Sequence, residues 1–539
     1  MADTEKASSH NQLDDHAAGS VIQVNRSETT RGLKSRHIQM IALGSAIGTG
    51  LFVGSGVTLS KGGPAFLVAG YIIVSLLVFC VVTAITEMAT YLPVKGATMS
   101  YYGRRYVSDS LGFAMGWLYF YSFGILVPFE ITAAGLVIQY WNTSVPIVVW
   151  ISCLIVVTCS LNWLPVKFYG ESEFWFVSLK VMLILGLLIL SFILFWWGGP
   201  DQSRLGFHWW RQPVNSWLVP GDAGRAAAFF GTVISSVFPF SFAPEMVIVT
   251  TGEMVNPRRN LPRTVSRFFW RIMVFYVGGA LAISVICPSN DPRLTNGGAG
   301  AESSPFVVGI KRAGIKGLDS VVNAVILTSA WSSGNAYLYL SSRSLYSLSV
   351  AGQAPAVFKK CLPNGLPYVA VGTSSLFALL AYMNVSSNGS EVFTWLVNLT
   401  NTGTFISWIC CGIIYLRFRK AYLKQNKTDQ IPWRHWSQPV GSYIAIVAFA
   451  ILCGINGFDV FVRGNWSVSI FLTDYISIPV FLAFYLGHRI YHHKDHWWRQ
   501  VDEIDLQSGL DEVEAEYDAE DAINPPKRRI MNILASPFA

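Results

Sequence analysis

Within the apolar run from Ile38 to Val57 lies Ser45-Ala46-Ile47-Gly48-Thr49-Gly50. Gly48 and Gly50 free the backbone to leave a helix, and Ser45 and Thr49 add hydroxyls. Inside a bilayer such a break is tolerated only where it is buried in protein or lines a wet cavity. A helix broken there presents amide N–H groups, which suit a carboxylate. The alternative is close helix packing through small residues. A second interruption follows at Phe238-Pro239-Phe240-Ser241-Phe242-Ala243-Pro244-Glu245, where two prolines and a carboxylate do not suit a continuous lipid-facing helix.

Four ionisable residues stand out inside apolar runs, where uncompensated burial costs at least ~2.5 kcal/mol. Glu130 follows Pro128 in the middle of the third run and must find a partner or bind a proton. Lys180 lies in the fifth; it either pairs, alternates between charged and neutral states, or stands in permanently for a bound sodium ion. Snorkelling to the interface is the bland alternative, since Lys180 is about two turns from the run's edge. Glu245, just past the second break, reads as a tether for the unwound segment. Glu87, near the end of the second run, reads as a gate or packing residue beside Lys95.

The elements that position these residues follow from composition. The chain has 539 residues, 52% hydrophobic and 13% charged, with mean hydropathy +0.41. Soluble domains carry about 25% charged residues, so this is an all-α polytopic membrane protein. Twelve apolar runs emerge: 38–58, 65–90, 111–139, 146–166, 174–197, 226–251, 269–288, 319–340, 367–385, 392–416, 441–462 and 470–490. The interrupted runs, first and sixth, are five apart, as two tandem five-helix units of opposite orientation would give. No residue-level identity between the halves supports this; it rests on hydropathy and the matched breaks.

Lysine and arginine place both termini in the cytoplasm, with Lys95, Arg104, Arg105, Arg258, Arg259, Lys359, Lys360, Arg417 and Arg419 in inner loops. Residues 1–35 and 492–539 form tails. The acidic stretch 502–521 reads as solvated rather than docked, with trafficking and ubiquitination machinery as candidate partners of the tails. The net charge of +7 belongs to loops beside anionic lipid, not to nucleic acid. The eight cysteines form no C-x-x-C pair, so a metal or redox site is not expected. Without a Walker-type loop, H-E-x-x-H or G-x-S-x-G elbow, the chain does not read as an enzyme, needs no cofactor, and would draw its energy from a gradient.

The run from Arg31 through Ser45-Ala46-Ile47-Gly48-Thr49-Gly50-Leu51-Phe52 resembles the first-span signature of fungal amino-acid permeases, in the amino acid–polyamine–organocation superfamily. Glu87 to Gly96, Pro128 to Ala134, Phe168 to Trp175, Gly252 to Pro262, Ser332 to Asn335 with Arg343 to Tyr346, and Gly403 to Trp408 carry further resemblance, covering about 31–495. The resemblance implies a five-plus-five inverted-repeat (LeuT-like) core over residues 36–416. Two extra helices would follow in 417–491. It also implies proton-coupled uptake at the plasma membrane by alternating access. By position, Ser45 to Gly50 would bind the substrate carboxylate and carbonyls of Phe240, Ser241, Phe242 and Ala243 its ammonium group. Asn335 joins the binding set; Glu130 and Lys180 would couple protons; Glu245 and Glu87 would be structural or gating.

One departure matters. Where the family commonly has Phe-Ser-Phe-x-Gly-Thr-Glu, this chain has Phe240-Ser241-Phe242-Ala243-Pro244-Glu245. The general cast falls nearest to acidic and broad-range permeases. A sensor of the same fold, disfavoured by the short tail, and a transporter of polyamine or choline-type substrates are the rival readings.

Overall fold

The computed structural model describes residues 48–93, 98–141, 144–164, 166–200, 204–251, 257–295, 304–363, 365–386, 389–493 and 496–515. Ser45, Ala46, Ile47 and Lys95 lie outside these residues. Every regular element among them is helical. Seven helices are long and apolar enough to cross a membrane, or eight if Val468–Tyr475 and Ser477–Tyr491, bent by 43°, count as one span.

The first helix, α1 (Ser55–Tyr91), follows a π-helical turn at Gly50–Gly54. It runs from the end of the first apolar run through the second, with a break between them at Gly63, φ 78°, ψ 178°, and Pro64 next. An L side chain is disfavoured at that φ and Pro64 cannot donate to the preceding turn, so the helix is two segments joined at a kink. The short α2 (Met99–Tyr106) leads to α3 (Asp109–Ile138). Ser108 caps α3, its Oγ accepting from the Leu111 N–H at 3.2 Å, and Asp109 complements the dipole. Then come α4 (Ile147–Asn162) and α5 (Val166–Trp196).

The sixth run divides into α6 (Gly221–Val237), a tight turn at Phe238–Phe240, and α7 (Ala243–Thr251). Pro244 lies in the first turn of α7, where a missing N–H is tolerated. The chain continues with α8 (Pro257–Ile272), which runs through a π turn into α9 (Gly278–Ile286), then α10 (Pro305–Arg312) and α11 (Leu318–Val350). Last are α12 (Tyr368–Ser375), α13 (Gly389–Lys424), α14 (Val440–Ile455), α15 (Val468–Tyr475) and α16 (Ser477–Tyr491).

Helix α5 shows how the bundle sorts its faces. Glu173, Val177, Lys180, Ile184 and Leu187 are buried, whereas Trp175, Leu179, Met182 and Ile189 are exposed. The buried set recurs every three or four residues, one stripe of a helix. Its charged members therefore face protein, and its exposed face is apolar, as lipid requires. Lys180, 1% exposed, does not snorkel. Small residues set the closest approaches. A Cβ on Gly62 would lie 2.1 Å from Thr232 Oγ1, and one on Gly70 would lie 2.8 Å from Ser236 Oγ, so the α1 backbone rests directly on short side chains of α6.

The acidic tail departs from expectation: through residue 515 it is docked. Arg105 donates from Nε to the Asp505 carbonyl at 2.7 Å and from Nη2 to the Ser508 carbonyl at 2.7 Å. Tyr91 Oη donates to the Leu506 carbonyl at 2.9 Å, and Gln425 Nε2 to the Val501 and Ile504 carbonyls. Ile504, Leu506 and Leu510 are buried beneath. The tail's alternating charges conceal an apolar underside, and its backbone is captured by arginine and glutamine from the ends of other helices. Arg105→Ala removes two of these bonds. It is expected to speed cleavage at Glu503, Glu512 and Glu514 by a glutamate-directed protease about tenfold, for ~1.4 kcal/mol of local stability. Unchanged cleavage would show that Arg105 does not hold the tail.

At the other end of the α8–α9 span, Asp291 is buried between two arginines, with Arg293 Nε at 3.0 Å and Arg312 Nε at 2.9 Å. Burial alone would raise its carboxyl. Hydrogen bonds from the Arg293 side chain and backbone and from Arg312 outweigh that and hold it at about 2. Because the folded value is depressed, the stabilisation is complete above the unfolded value near ~3.9 and is lost only as pH falls through about 2. Asp291→Asn is therefore expected to lower the melting temperature by similar amounts at pH 5 and pH 7, measured on detergent-solubilised protein. A loss seen only at pH 7 would contradict this assignment.

Candidate functional site

The two breaks meet. A Cβ on Gly50 would lie 3.1 Å from Phe238 Cδ1 and 3.2 Å from Pro239 Cα. Around this contact Gly48, Gly50, Leu126, Glu130, Phe238, Pro239, Ser241 and Tyr337 enclose a cavity of about 10 Å³, room for about one water. The site is thus closed in this conformation, and admitting a larger molecule requires the two breaks to separate.

The described backbone does not break at Gly50. Thr49 is already helical at φ −60°, ψ −23°, and the Leu51 N–H donates to the Gly48 carbonyl at 3.3 Å. The described backbone bends at Gly48, and the turn after it is π-helical, a local irregularity frequent at functional sites. Gly50 serves close approach, not conformational freedom. The first amides of this helix are the ones whose donors lack intrahelical acceptors.

The second break is sharper. Ser241 is at φ −50°, ψ 125°, and Phe242 is left-handed at φ 55°, a costly geometry for a bulky residue and one held by its surroundings. The surroundings are aromatic. Phe242 packs against Tyr119 and Phe123 on α3, and Phe240 stacks on Tyr276 at 4.5 Å. Tyr276 Oη donates to the Pro239 carbonyl at 2.9 Å. Of the four residues expected to bind substrate here, Ser241 lines the cavity; the side chains of Phe240, Phe242 and Ala243 are buried in the walls behind it. Phe238 and Pro239 marked the break in the sequence without being assigned to the binding set, yet they line the cavity. The Ser241 hydroxyl is buried without a hydrogen-bond partner among the described residues.

Glu130 projects into the cavity from α3. Its Oε2 accepts from Thr49 Oγ1 at 2.8 Å, and a Cβ on Gly48 would lie 3.3 Å from its Oε1. Pro128, two residues earlier, interrupts the α3 hydrogen-bond ladder just before this carboxylate. Lys180 Nζ donates to Ser333 Oγ at 2.9 Å, and that hydroxyl is 3.5 Å from the Gly48 Cβ position. Lys180 thus stands one hydroxyl behind the cavity. Beside it, Ser332 Oγ donates to both oxygens of Glu173 at 2.9 Å. Sequence alone treated Glu173 as part of a motif and gave it no role.

The remaining expected residues sit further out. Asn335 is buried, and its Oδ1 accepts from Asn162 Nδ2 at 2.5 Å; it does not line the cavity. Glu245 is held by α13: Ser407 Oγ donates to Oε1 at 2.5 Å and Trp408 Nε1 to Oε2 at 3.3 Å. That ties the segment after the break to a distant helix. Glu87 accepts from Tyr415 Oη at 2.6 Å and from the His435 N–H at 2.8 Å. These are partners from α13 and the loop after it; the expected neighbour Lys95 lies outside the described residues.

Comparisons with known proteins agree with this geometry. Residues 37–501 match the family model described as amino acid permease. The chain is 46% identical over 492 residues to the proline-specific permease of Emericella nidulans, covering 90% of this chain and 89% of that protein. It is 46% identical to the proline-specific permease of Saccharomyces cerevisiae, covering 90% and 79%. The dicarboxylic amino acid permease of Saccharomyces cerevisiae is 39% identical, covering 86% and 78%. Among solved structures, a mutant of the Eremococcus coleocola manganese transporter superposes with TM-score 0.56 at 14% identity, covering 85% of this chain and 93% of that one. At that identity the likeness is one of fold. The match to the family model over most of the chain and the sequence kinship place this chain in the amino acid permease family, as a multi-pass membrane protein.

Proposed function

We propose that this protein imports a small neutral amino acid, proline foremost, together with protons across the plasma membrane. The observation that carries the substrate class is the lining of the cavity: Glu130 is its only charged side chain among the described residues. An acidic substrate would want a cation there, and a basic one a second carboxylate. The surrounding Leu126, Phe238, Pro239 and Tyr337 suit a compact apolar side chain. Kinship supports the same choice, since the three relatives named as proline-specific are 44–46% identical and the dicarboxylic one 39%. This departs from the acidic or broad-range cast read from sequence.

In this reading the amides at Gly48–Gly50 receive the α-carboxylate. Ser241, with the open backbone of the second break, receives the amino group. Glu130 and Lys180 couple transport to protons. The twelve apolar runs are twelve spans: a five-plus-five inverted-repeat core over 36–416, two further helices in 417–491, and both tails cytoplasmic. Alternating access then consists of parting the two breaks toward one side at a time.

The test is uptake of a labelled amino-acid panel in a permease-deficient fungal host at acidic pH, with and without a protonophore. Proline uptake that collapses with the protonophore is the expected result. Preferred uptake of glutamate or lysine would overturn the substrate class.

A further inference from the structure

Three ionisable groups are buried together behind the cavity: Glu130 on α3 and Glu173 and Lys180 on α5. Their surroundings are hydroxyls. Thr49 donates to Glu130, Ser332 to Glu173, and Lys180 donates to Ser333. Tyr337 lies within electrostatic reach of both carboxylates, and Lys180 within reach of both as well. Thr49, Ser332, Ser333, Tyr337 and the three ionisable groups are the polar side chains the structure gives facing one another here. One cation can compensate one carboxylate. The other is surplus, and in a low-dielectric interior a surplus charge binds a proton or a cation.

Position says which is which. Glu173 is 0% exposed, does not line the cavity, and is two helical turns before Lys180 on the same buried stripe. Side chains on a helix lean toward its N-terminus, so Lys180 reaches back toward Glu173. Ser332 and Ser333, adjacent on α11, hold one group each. Glu130 instead borders the cavity and the first break, where substrate and protons arrive.

Resting on the proton-coupled reading above, we infer that Glu173 is a positioning residue: it keeps Lys180 charged and fixed throughout the cycle, leaving Glu130 as the carboxylate that takes up and releases the transported proton. Lys180 is then a permanent internal cation and not a second proton carrier.

The experiment uses the full-length protein in proteoliposomes, with labelled proline and an imposed inward-acid gradient, comparing the wild type with Glu173→Gln, Lys180→Met and the double variant. Glu173→Gln leaves Lys180 without a fixed counter-charge whenever Glu130 carries its proton, and Lys180→Met leaves two carboxylates without their cation; each is expected to lower gradient-driven uptake about 100-fold, for ~2.7 kcal/mol. The double variant removes both charges. It is expected to recover at least about tenfold over either single variant, with a pH profile superimposable on that of the wild type. A double variant no better than the singles, through lost transport or lost protein, overturns the inference. So does one whose uptake has become independent of pH. Failure of the wild type to respond to the gradient would instead overturn the proton-coupled reading itself, so the two are separable.

Discussion

Glu130→Gln is expected to uncouple the protein. The amide keeps the carboxylate's shape and can still accept from Thr49, which now bonds to Glu130 Oε2 at 2.8 Å. What it loses is the negative charge beside the first break. A hydrogen bond to a charged buried group is worth ~1.5–3 kcal/mol, or roughly 10- to 100-fold in rate. Substrate uptake at acidic pH should fall by that factor, and the remainder should no longer respond to pH. Exchange of external for internal proline should be reduced less, because it needs no net proton movement. The check is gradient-driven uptake and counterflow in the same vesicles. Retained accumulation against a gradient would remove Glu130 from coupling.

Gly50→Val should slow transport about tenfold or more while leaving protein in the membrane. The added Cβ would meet the Phe238 ring at 3.1 Å and the Pro239 Cα at 3.2 Å. A ring can yield, but Pro239 Cα is backbone, fixed by its neighbours at the second break. Overpacking of this kind costs ~1–3 kcal/mol, and the cost falls on the closed state in which the two breaks touch. Transport that must pass through that state should slow about tenfold or more. Gly54→Ala is the control. Its Cβ would meet Phe238 at 4.0 Å, ordinary contact, so uptake should stay near wild type. Uptake unaffected in both variants would show that close approach at Gly50 is not part of the cycle.

Hydropathy made much of this legible. The broken sixth run announced itself through Pro239 and Pro244, and Glu130 stood out because a carboxylate in an apolar run has few bland explanations. Lys180 was harder. Its run appeared to start at Phe174, which left it near an edge and able to snorkel. The helix starts at Val166, so Glu173 and Lys180 both lie well inside it. Glu173 was hidden for the same reason: it stood just outside the apolar window and looked interfacial. Ser332 and Ser333 carry no hydropathy signal, and their roles exist only because α11 faces α5. The docked tail escaped notice because Arg105, Tyr91 and Gln425 bond to its backbone carbonyls, which no side-chain pattern records, and its ion pairs, Lys424 with Asp502 and Arg258 with Glu514, join residues far apart in the chain. For Gly50 the sequence left two readings open, backbone freedom and close packing through small residues, and the structure shows the second: Gly50 makes room for Phe238 and Pro239.

The account stands or falls on proline movement driven by protons. The decisive measurement is labelled proline accumulation by the purified protein in sodium-free proteoliposomes under an inward-acid pH gradient, with a protonophore control. Accumulation above equilibrium that vanishes when the gradient is dissipated is the predicted result. Proline that only equilibrates, at the same rate with and without the gradient, would contradict it.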